Sequence, residues 1–209
     1  MGKPVRLGVL ISGSGRTMVN FAERIAAGTL NATLAAVVAS RADISGVAKA
    51  QSLGLPVQIV SRKDFDSTEA FSDAVTAVLE AHRVELVALA GFLSLYRIPP
   101  RYAGRVMNIH PALLPRFGGH GMYGHRVHEA VLAAGVSESG CTVHFCDNVY
   151  DNGPIILQRK VPVLAGDTPE ALADRVFEQE LEAYPEAINL FAAARLSVRG
   201  GKVVVAGNA

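Results

Sequence analysis

The chain has 209 residues, of which half are hydrophobic and 19% are charged, so it can bury a sizeable core and is not a disordered segment. Its formal net charge is +1, without a block of like charges, which argues against nucleic acid or an anionic membrane surface as a partner. No window approaches the roughly 18 consecutive apolar residues of a membrane span, and the N-terminus has no signal-peptide pattern.

The N-terminal stretch predicts a buried strand followed by an anion-binding turn. Residues 5–11 form a near-continuous apolar run, as in a parallel strand buried on both faces. Residues 12–17, Ser-Gly-Ser-Gly-Arg-Thr, then lead into a helix, and free backbone N–H groups at such a helix start favour a phosphate. A tight strand-to-helix turn also needs glycine, so a purely structural role stays open. Met18 stands where a dinucleotide fingerprint needs its third glycine, which disfavours an NADP enzyme, although Ser40-Arg41 would suit a 2′-phosphate.

The first half of the chain alternates strands and helices. After a second strand, the pattern predicts a helix, a third strand, a helix with the capping box Asp66–Glu69, and a fourth strand. The predicted strands are 34–39, 57–60 and 86–90, and the first of these helices is predicted at 43–53. This alternation predicts an α/β fold with a doubly wound, mostly parallel sheet and right-handed crossovers. No repeat or linker interrupts it, so residues 1–209 are expected to form a single domain.

A polar pair follows the next strand. The apolar run before Asn108 continues through Ile109 to His110 and is stopped by Pro111, which cannot donate to a ladder. Asn108 and His110 are two residues apart, so both side chains leave the same face, at the strand end where open sheets bind ligands. An amide and an imidazole there can donate to an oxyanion or carry a proton. A polar pair that only caps the strand is the alternative.

The second half of the chain predicts a loop, a helix and a hairpin. Residues 116–124 contain four glycines in nine positions and should form a mobile loop beside the polar pair. A helix is expected at about 126–134. The strands expected at 141–146 and 155–163 are joined by a turn-forming loop, which predicts an antiparallel hairpin appended to the sheet.

The hairpin carries two cysteines and a loop aspartate. Cys141 and Cys146 are five residues apart on a predicted strand and point to opposite faces, so we expect no disulfide and a reducing cytoplasm. Zinc held by these cysteines and His144 is disfavoured for the same reason. Asp151 precedes Asn-Gly and would by itself be read as a turn residue.

A final long helix carries one carboxylate on its apolar face. The helix is expected to start near Asp167-Thr168-Pro169. Its inward stripe consists of Leu172, Val176, Phe177, Tyr184 and Ile188. Glu180 falls on this stripe, and because a buried carboxylate without a partner is costly, it should meet a cation or hydroxyl or reach a site. The tail from Ser197 reads as a weak terminal hairpin.

Taken together, these residues resemble the folate-dependent phosphoribosylglycinamide formyltransferase family over about residues 5–196. The motifs that carry the resemblance are Ser12-Gly13-Ser14-Gly15, Leu89-Ala90-Gly91-Phe92, Asn108-Ile109-His110-Pro111, Leu113-Leu114-Pro115, Thr142-Val143-His144-Phe145 and Asp151-Asn152-Gly153. The family resemblance implies a Rossmann-like formyltransferase fold with an antiparallel C-terminal hairpin extension. It also implies that a part at about 1–108 binds the ribonucleotide phosphate and that a part at about 109–209 completes the catalytic and folate site.

The resemblance implies a role for each matching residue. The catalytic set would be Asn108, His110, Asp151 and His144. The ribonucleotide would be bound by Ser14, Gly15, Arg16, Thr17, Pro111 and Glu180. The pterin of 10-formyltetrahydrofolate, the co-substrate, would be bound by Phe92, Leu93, Ser94, Leu95, Phe145, Cys146, Asp147 and Asp151. Ser94, Asn152 and Leu181 depart from the residues that are usual in the family, and no metal is implied.

The implied reaction is formyl transfer to the amine of glycinamide ribonucleotide, a step of purine synthesis. Asn108 and His110 would donate to the oxyanion, and Asp151 would hold His110 as an imidazolium and carry protons. The expected partners are small molecules, with the protein a monomer or homodimer. The alternatives are formyl transfer to methionyl-tRNA or to an amino sugar, hydrolysis of formyltetrahydrofolate, and a non-catalytic phosphate- or nucleotide-binding module.

Overall fold

The computed structural model describes residues 3–207 of the chain, and these residues include nine strands and five α-helices. The strands are β1 (Val5–Ile11), β2 (Ala32–Ala39), β3 (Val57–Ile59), β4 (Leu86–Leu89), β5 (Val106–His110), β6 (Glu138–Phe145), β7 (Ile155–Pro162), β8 (Leu196–Arg199) and β9 (Lys202–Val205). The helices are α1 (Arg16–Ala26), α2 (Ser45–Ser52), α3 (Thr68–Ala81), α4 (His125–Ala133) and α5 (Pro169–Ala192). Each predicted strand and helix is present, with ends that differ by up to three residues.

The strands form a seven-stranded sheet in the order β3-β2-β1-β4-β5-β6-β7, and β8 and β9 form a separate two-stranded sheet. Strand β1 pairs in parallel with both β2 and β4, and β2 pairs in parallel with β3. Strands β6 and β7 are antiparallel, as are β8 and β9. The predicted mostly parallel, Rossmann-like sheet with antiparallel C-terminal strands is therefore confirmed.

The chain divides into two compact units, Met1–Met107 and Asn108–Ala209. In the first unit, β1 is the centre of the core, because five of its seven residues are buried apolar side chains besides one buried glycine. That glycine, Gly8, allows α3 to approach closely: an added Cβ would lie 2.7 Å from Leu79 Cδ2 and 3.0 Å from Val84 Cγ1. Burying this run on both faces is what a parallel strand requires.

In the second unit, α5 packs on β6 and β7. The buried residues of this helix include Leu172, Val176, Tyr184 and Ile188, as predicted, whereas Phe177 is only half-buried. Thr168 caps the helix by accepting the backbone N–H of Ala171 at 3.2 Å, and Pro169 occupies the first turn.

Two further points concern the helices. The N-cap of α3 is Ser67, which accepts from the Ala70 amide at 3.0 Å, so the predicted capping box at Asp66 is displaced by one residue and is wrong. A serine hydroxyl takes that position because it can reach the third amide of the helix as well as a carboxylate can. None of the helices within residues 3–207 combines the length and apolar character that a bilayer crossing demands.

Candidate active site

Three side chains of the second unit converge on the carboxylate of Asp151. Its Oδ1 accepts from Asn108 Nδ2 at 3.4 Å and lies 3.6 Å from His144 Nε2. Its Oδ2 lies 3.5 Å from His110 Nδ1 and accepts the Gly119 amide at 2.9 Å. The structure thus brings together the four residues that the sequence singles out as a catalytic set. We call Asn108, His110, His144 and Asp151 the Asp151 cluster.

The backbone of the second unit explains how these side chains meet. Strand β5 ends at His110, immediately before Pro111, as the sequence predicts. Asn108 and His110 are two apart on it, and His144 is the penultimate residue of β6. Asp151 follows β6 in a loop and has a φ of +52°, a left-handed conformation that is uncommon for residues other than glycine. Aspartate adopts this conformation more readily than most residues, so the hydrogen bonds of the carboxylate, and not the backbone, distinguish Asp151 from an ordinary turn residue.

Two carbonyl groups determine the tautomers of the two histidines. His110 Nε2 lies 2.8 Å from the Phe117 carbonyl oxygen, and His144 Nδ1 lies 2.9 Å from the Phe145 carbonyl oxygen. Because a carbonyl can only accept, each of these ring nitrogens carries a proton. His144 Nε2 then presents a lone pair, which accepts from Asn108 Nδ2 at 3.3 Å. The amide orientation of Asn108 therefore follows from the His144 tautomer.

The environment favours the neutral form of His110. Burial lowers the pKa of His110 below its ordinary 6.5, and this outweighs the Asp151 carboxylate and the Phe117 carbonyl, which raise it. The expectation that Asp151 holds His110 as an imidazolium is wrong in its net direction. The carboxylate acts as expected, but desolvation of a side chain that is 4% exposed is the larger effect.

Asp151 is ionised in this environment. Burial raises its pKa, but the contacts with His144 and His110 and the hydrogen bond from the Gly119 amide together bring the pKa below the ordinary 3.8. The side chain is only 12% exposed, and the N–H groups of Asn108 and Gly119, which donate to it, replace the lost water. A buried, ionised carboxylate beside two imidazoles and an amide can accept and return a proton.

Three consecutive residues expected at the pterin lie at the end of β6 and the start of the loop that joins it to β7. Phe145, Cys146 and Asp147 follow one another at the end of β6. Asp147 Oδ2 accepts from Asn152 Nδ2 at 3.1 Å, so this unusual asparagine braces the loop. An added Cβ at Gly153 would collide with the Phe145 carbonyl oxygen, which explains the glycine. Burial raises the pKa of the Cys146 thiol and keeps it neutral.

In the first unit, the glycine-rich turn between β1 and α1 has the geometry of an anion site. Gly15 is the N-cap of α1 with φ of +68°, and it offers no side chain to the first-turn amides. An added Cβ at Gly15 would lie 3.0 Å from the Cα of Gly46, at the start of α2. The Gly46 amide also donates to the Gly13 carbonyl at 3.2 Å. Close backbone approach and a helix start without a side-chain cap are both features of phosphate-binding turns.

The side chains of this turn differ in exposure. Ser14 and Arg16 are exposed, whereas Thr17 is buried. Helix α1 has no acidic residue in its first turn, so nothing in that turn opposes a bound anion.

The first unit also contains the other residues expected at the pterin. Phe92 stacks on Phe71 with a centroid distance of 6.2 Å and an interplanar angle of 11°. The Leu93 amide donates to Ser12 Oγ at 2.9 Å, and this hydroxyl is 2.7 Å from Ser40 Oγ. The Leu93 side chain is exposed, and two neighbours are half-buried, Ser94 and Leu95.

The two remaining expected site residues lie in the second unit. Pro111 is half-buried directly after β5. Glu180 is half-buried on α5, and its carboxylate adds to the effect of burial that raises the pKa of Cys141 to about 12. Both cysteines are free, and the described part of the chain contains no group of three or more His, Cys, Asp or Glu that could hold a metal ion.

Sequence reasoning missed the backbone groups that complete the Asp151 cluster and the glycine-rich turn. The Phe117 carbonyl and the Gly119 amide contact the Asp151 cluster through the loop that was expected only to be mobile. Gly46 at α2 adjoins the glycine-rich turn. The four glycines of residues 116–124 were the available signal, but backbone contacts leave no pattern in residue types.

Comparison with known proteins identifies the family. A formyl transferase family profile matches residues 5–188. Phosphoribosylglycinamide formyltransferase from Haemophilus influenzae is 33% identical over 206 residues, covering 98% of this chain and 95% of that protein. The trifunctional purine biosynthetic protein adenosine-3 of Gallus gallus is 40% identical over 95% of this chain, which spans only 20% of that relative's length.

Solved structures agree with the sequence relatives. Glycinamide ribonucleotide transformylase 1 from Symbiobacterium toebii superposes with a TM-score of 0.93 at 40% identity, covering 99% of this chain and 96% of that one. The resemblance to phosphoribosylglycinamide formyltransferase is thereby confirmed, and the chain belongs to the formyl transferase family.

Proposed function

We propose that this protein transfers the formyl group of 10-formyltetrahydrofolate to the amine of glycinamide ribonucleotide, the third step of de novo purine synthesis. The observation that carries this proposal is the convergence of Asn108, His110 and His144 on the ionised Asp151 carboxylate. A phosphate-binding module would need the glycine-rich turn but would have no use for such a cluster.

The proposed chemistry is direct attack of the substrate amine on the formyl carbon bound to N10 of the folate. The product of attack is a tetrahedral intermediate with negative charge on the former carbonyl oxygen. Asn108 and neutral His110 would each donate an N–H group to that oxygen, a contribution of about 3–4 kcal/mol per donor in comparable acyl transfers. The formyl oxygen would take over the His110 Nε2–H that the Phe117 carbonyl now accepts.

Asp151 would manage the protons of the reaction. Its ionised carboxylate would accept the proton that the attacking amine loses, through a water molecule, and return a proton to the leaving N10. His144 would orient this step, since its ring lies beside both Asp151 and Asn108. Holding the two substrates in register would supply much of the remaining rate enhancement.

We assign the ribonucleotide phosphate to Ser14, Gly15, Arg16 and Thr17, and the rest of that substrate to Pro111 and Glu180. The left-handed Gly15 and the absence of a side-chain cap on α1 support the phosphate assignment. The pterin is assigned to Phe92–Leu95 and Phe145–Asp147, with Asp151. The division of labour that we propose is phosphate binding by about residues 1–108, with about 109–209 completing the catalytic and folate site of one domain.

The remaining elements of the proposal follow from the family and the composition. The co-substrate is 10-formyltetrahydrofolate, no metal takes part, and the partners are small molecules rather than nucleic acid or membrane. We propose a cytoplasmic monomer or homodimer.

The test is an absorbance assay with 10-formyl-5,8-dideazafolate and glycinamide ribonucleotide. We expect a signal that requires both compounds. A signal without the ribonucleotide would identify a hydrolase, and activity only with a different amine would identify another formyltransferase; either result would refute the proposal.

The matched variants are Asp151→Asn and Asp174→Asn, of which the second removes an exposed carboxylate on α5. Loss of general acid–base catalysis should lower the turnover of Asp151→Asn about 10²- to 10⁴-fold. Asp174→Asn should retain the wild-type rate. Equal turnover in the two variants would remove Asp151 from the mechanism.

A further inference from the structure

Two side chains outside the Asp151 cluster hold the segment that follows His110. We call residues 111–115 the β5 exit segment. The Thr142 hydroxyl donates to the Ala112 carbonyl at 2.6 Å and accepts the Leu114 amide at 3.0 Å. Gln158 Nε2 donates to the Leu114 carbonyl at 2.9 Å and to Thr142 Oγ1 at 2.8 Å. Three backbone groups of the exit segment are therefore bound by two side chains.

Every hydrogen-bonding position of the Thr142 hydroxyl is used in this network. A threonine hydroxyl offers one donor and two acceptor positions, and Thr142 uses all three. The side chain is fully buried, so water cannot replace a lost partner. Gln158 lies directly opposite Thr142 in the β6–β7 pairing, so the sheet register holds its amide in place.

The network is adjacent to the Asp151 cluster on both of its strands. Ala112 is two residues after His110, at the end of β5. Thr142 is two residues before His144 on β6, and the pairing with β7 shifts register between Val143 and His144.

The exit segment leads into the backbone groups that contact the cluster. Leu114 Cδ2 packs against Gly118 so closely that an added Cβ there would collide with it. On either side of Gly118, the Phe117 carbonyl accepts from His110 Nε2 at 2.8 Å and the Gly119 amide donates to Asp151 Oδ2 at 2.9 Å. Leu114 thus packs against the residue that joins these two backbone groups.

We propose that Thr142, braced by Gln158, is a positioning residue that holds the β5 exit segment so that Phe117 and Gly119 keep their hydrogen bonds to His110 and Asp151. The inference rests on the proposed function for its kinetic consequence, but not for its structural one. Thr142 touches no reacting atom in this scheme and acts only through the exit segment.

The experiment compares Thr142→Val, Thr142→Ser and Gln158→Leu with Ser139→Ala as the matched control. Ser139 is on the same strand and is 2% exposed, and its hydroxyl has no hydrogen-bond partner within residues 3–207. Removing that hydroxyl should leave kcat unchanged. Thr142→Val keeps the shape but loses the hydroxyl, and should lower kcat about 10- to 100-fold, as expected for a small displacement of catalytic groups, with KM little changed.

Two readouts separate positioning from simple destabilisation. The acid limb of the kcat profile should move to higher pH in Thr142→Val, because the Gly119 amide helps to lower the pKa of Asp151. A partly unfolded variant would instead lose activity by the same factor at every pH. Thr142→Ser restores the hydroxyl and should recover most of kcat and the wild-type pH profile.

A third readout does not depend on activity. In ¹⁵N-histidine NMR, wild-type His110 should show the Nε2–H tautomer that the Phe117 carbonyl selects, whereas Thr142→Val should show a mixture of tautomers. If the wild-type protein had no formyl transfer activity, the proposed function would be refuted. The comparison of His110 tautomers would still test the positioning role of Thr142.

The proposal would be overturned by a folded Thr142→Val with the kcat, pH profile and His110 tautomer of Ser139→Ala, or by a Thr142→Ser that is as impaired as the valine variant. Should Thr142→Val fail to fold, Gln158→Leu decides the matter, because it leaves the threonine in place. A smaller loss of kcat with the same pH shift would support the proposal, and behaviour like that of Ser139→Ala would refute it.

Discussion

His128 makes the stability of this protein sensitive to mild acid. It lies on α4 with 4% of its surface exposed, and its Nδ1 has no hydrogen-bond partner within residues 3–207. Burial, with smaller effects from His125 and His110, lowers its pKa from 6.5 to about 4. The folded state therefore holds this ring neutral, while the unfolded chain accepts a proton at ordinary pH.

The sign and size of the effect follow from linkage. Because the folded pKa is the lower one, the stabilisation is fully present above about pH 6.5 and is lost as the pH falls toward 4. The fall in the pKa from 6.5 to about 4, at about 1.4 kcal/mol per pKa unit, corresponds to about 3 kcal/mol in total. Most of this stabilisation should be lost by about pH 4.5.

Urea unfolding of the wild type and of His128→Leu at about pH 7.5 and 4.5 measures this contribution. Other groups titrate in the same range, so the informative quantity is the difference between the two proteins. We expect the wild type to lose about 2–3 kcal/mol more of its free energy of unfolding than the variant on acidification. An exposed-histidine control, His120→Leu, should lose as much as the wild type. Equal losses in the wild type and His128→Leu would show that this ring is not held neutral by burial.

Two further substitutions and one labelling reaction test the Asp151 cluster, the glycine-rich turn and the burial of Cys141. Gly118→Ala places a Cβ 3.2 Å from that of Asp151, and the overpacking should cost about 1–3 kcal/mol of stability, read by thermal unfolding, together with turnover in the formyl transfer assay. Gly15→Ala imposes a left-handed alanine against Gly46, which should cost about 1–2 kcal/mol and raise the KM for the phosphate-bearing substrate more than it lowers kcat. Cys141, whose pKa burial raises to about 12, should react with a thiol reagent at pH 8 only after unfolding, and rapid labelling of the native protein would contradict its burial.

The sequence by itself was sufficient for the fold and for the membership of the Asp151 cluster. Apolar runs such as 5–11 can be buried only between neighbouring strands and helices, so strand–helix alternation predicts the parallel sheet. Asn108, His110, His144 and Asp151 match the motifs of the family, and it is this match that marks Asp151, which by itself reads as a turn residue. The N-cap at Asp66 was misplaced because neighbouring polar residues compete for that position, and only the backbone geometry selects Ser67.

Tertiary structure decided the protonation states and the backbone contacts. A carboxylate near His110 predicts an imidazolium, but burial reverses the direction of the pKa shift, and the extent of burial is not written in any local pattern. The Phe117 carbonyl and the Gly119 amide belong to every amino acid alike, so their contacts with the cluster leave no trace in residue types. Thr142 and Gln158 are 16 residues apart and far from His110 in sequence, and only the β6–β7 register and the path of the chain after β5 bring their side chains to the same carbonyls and amides.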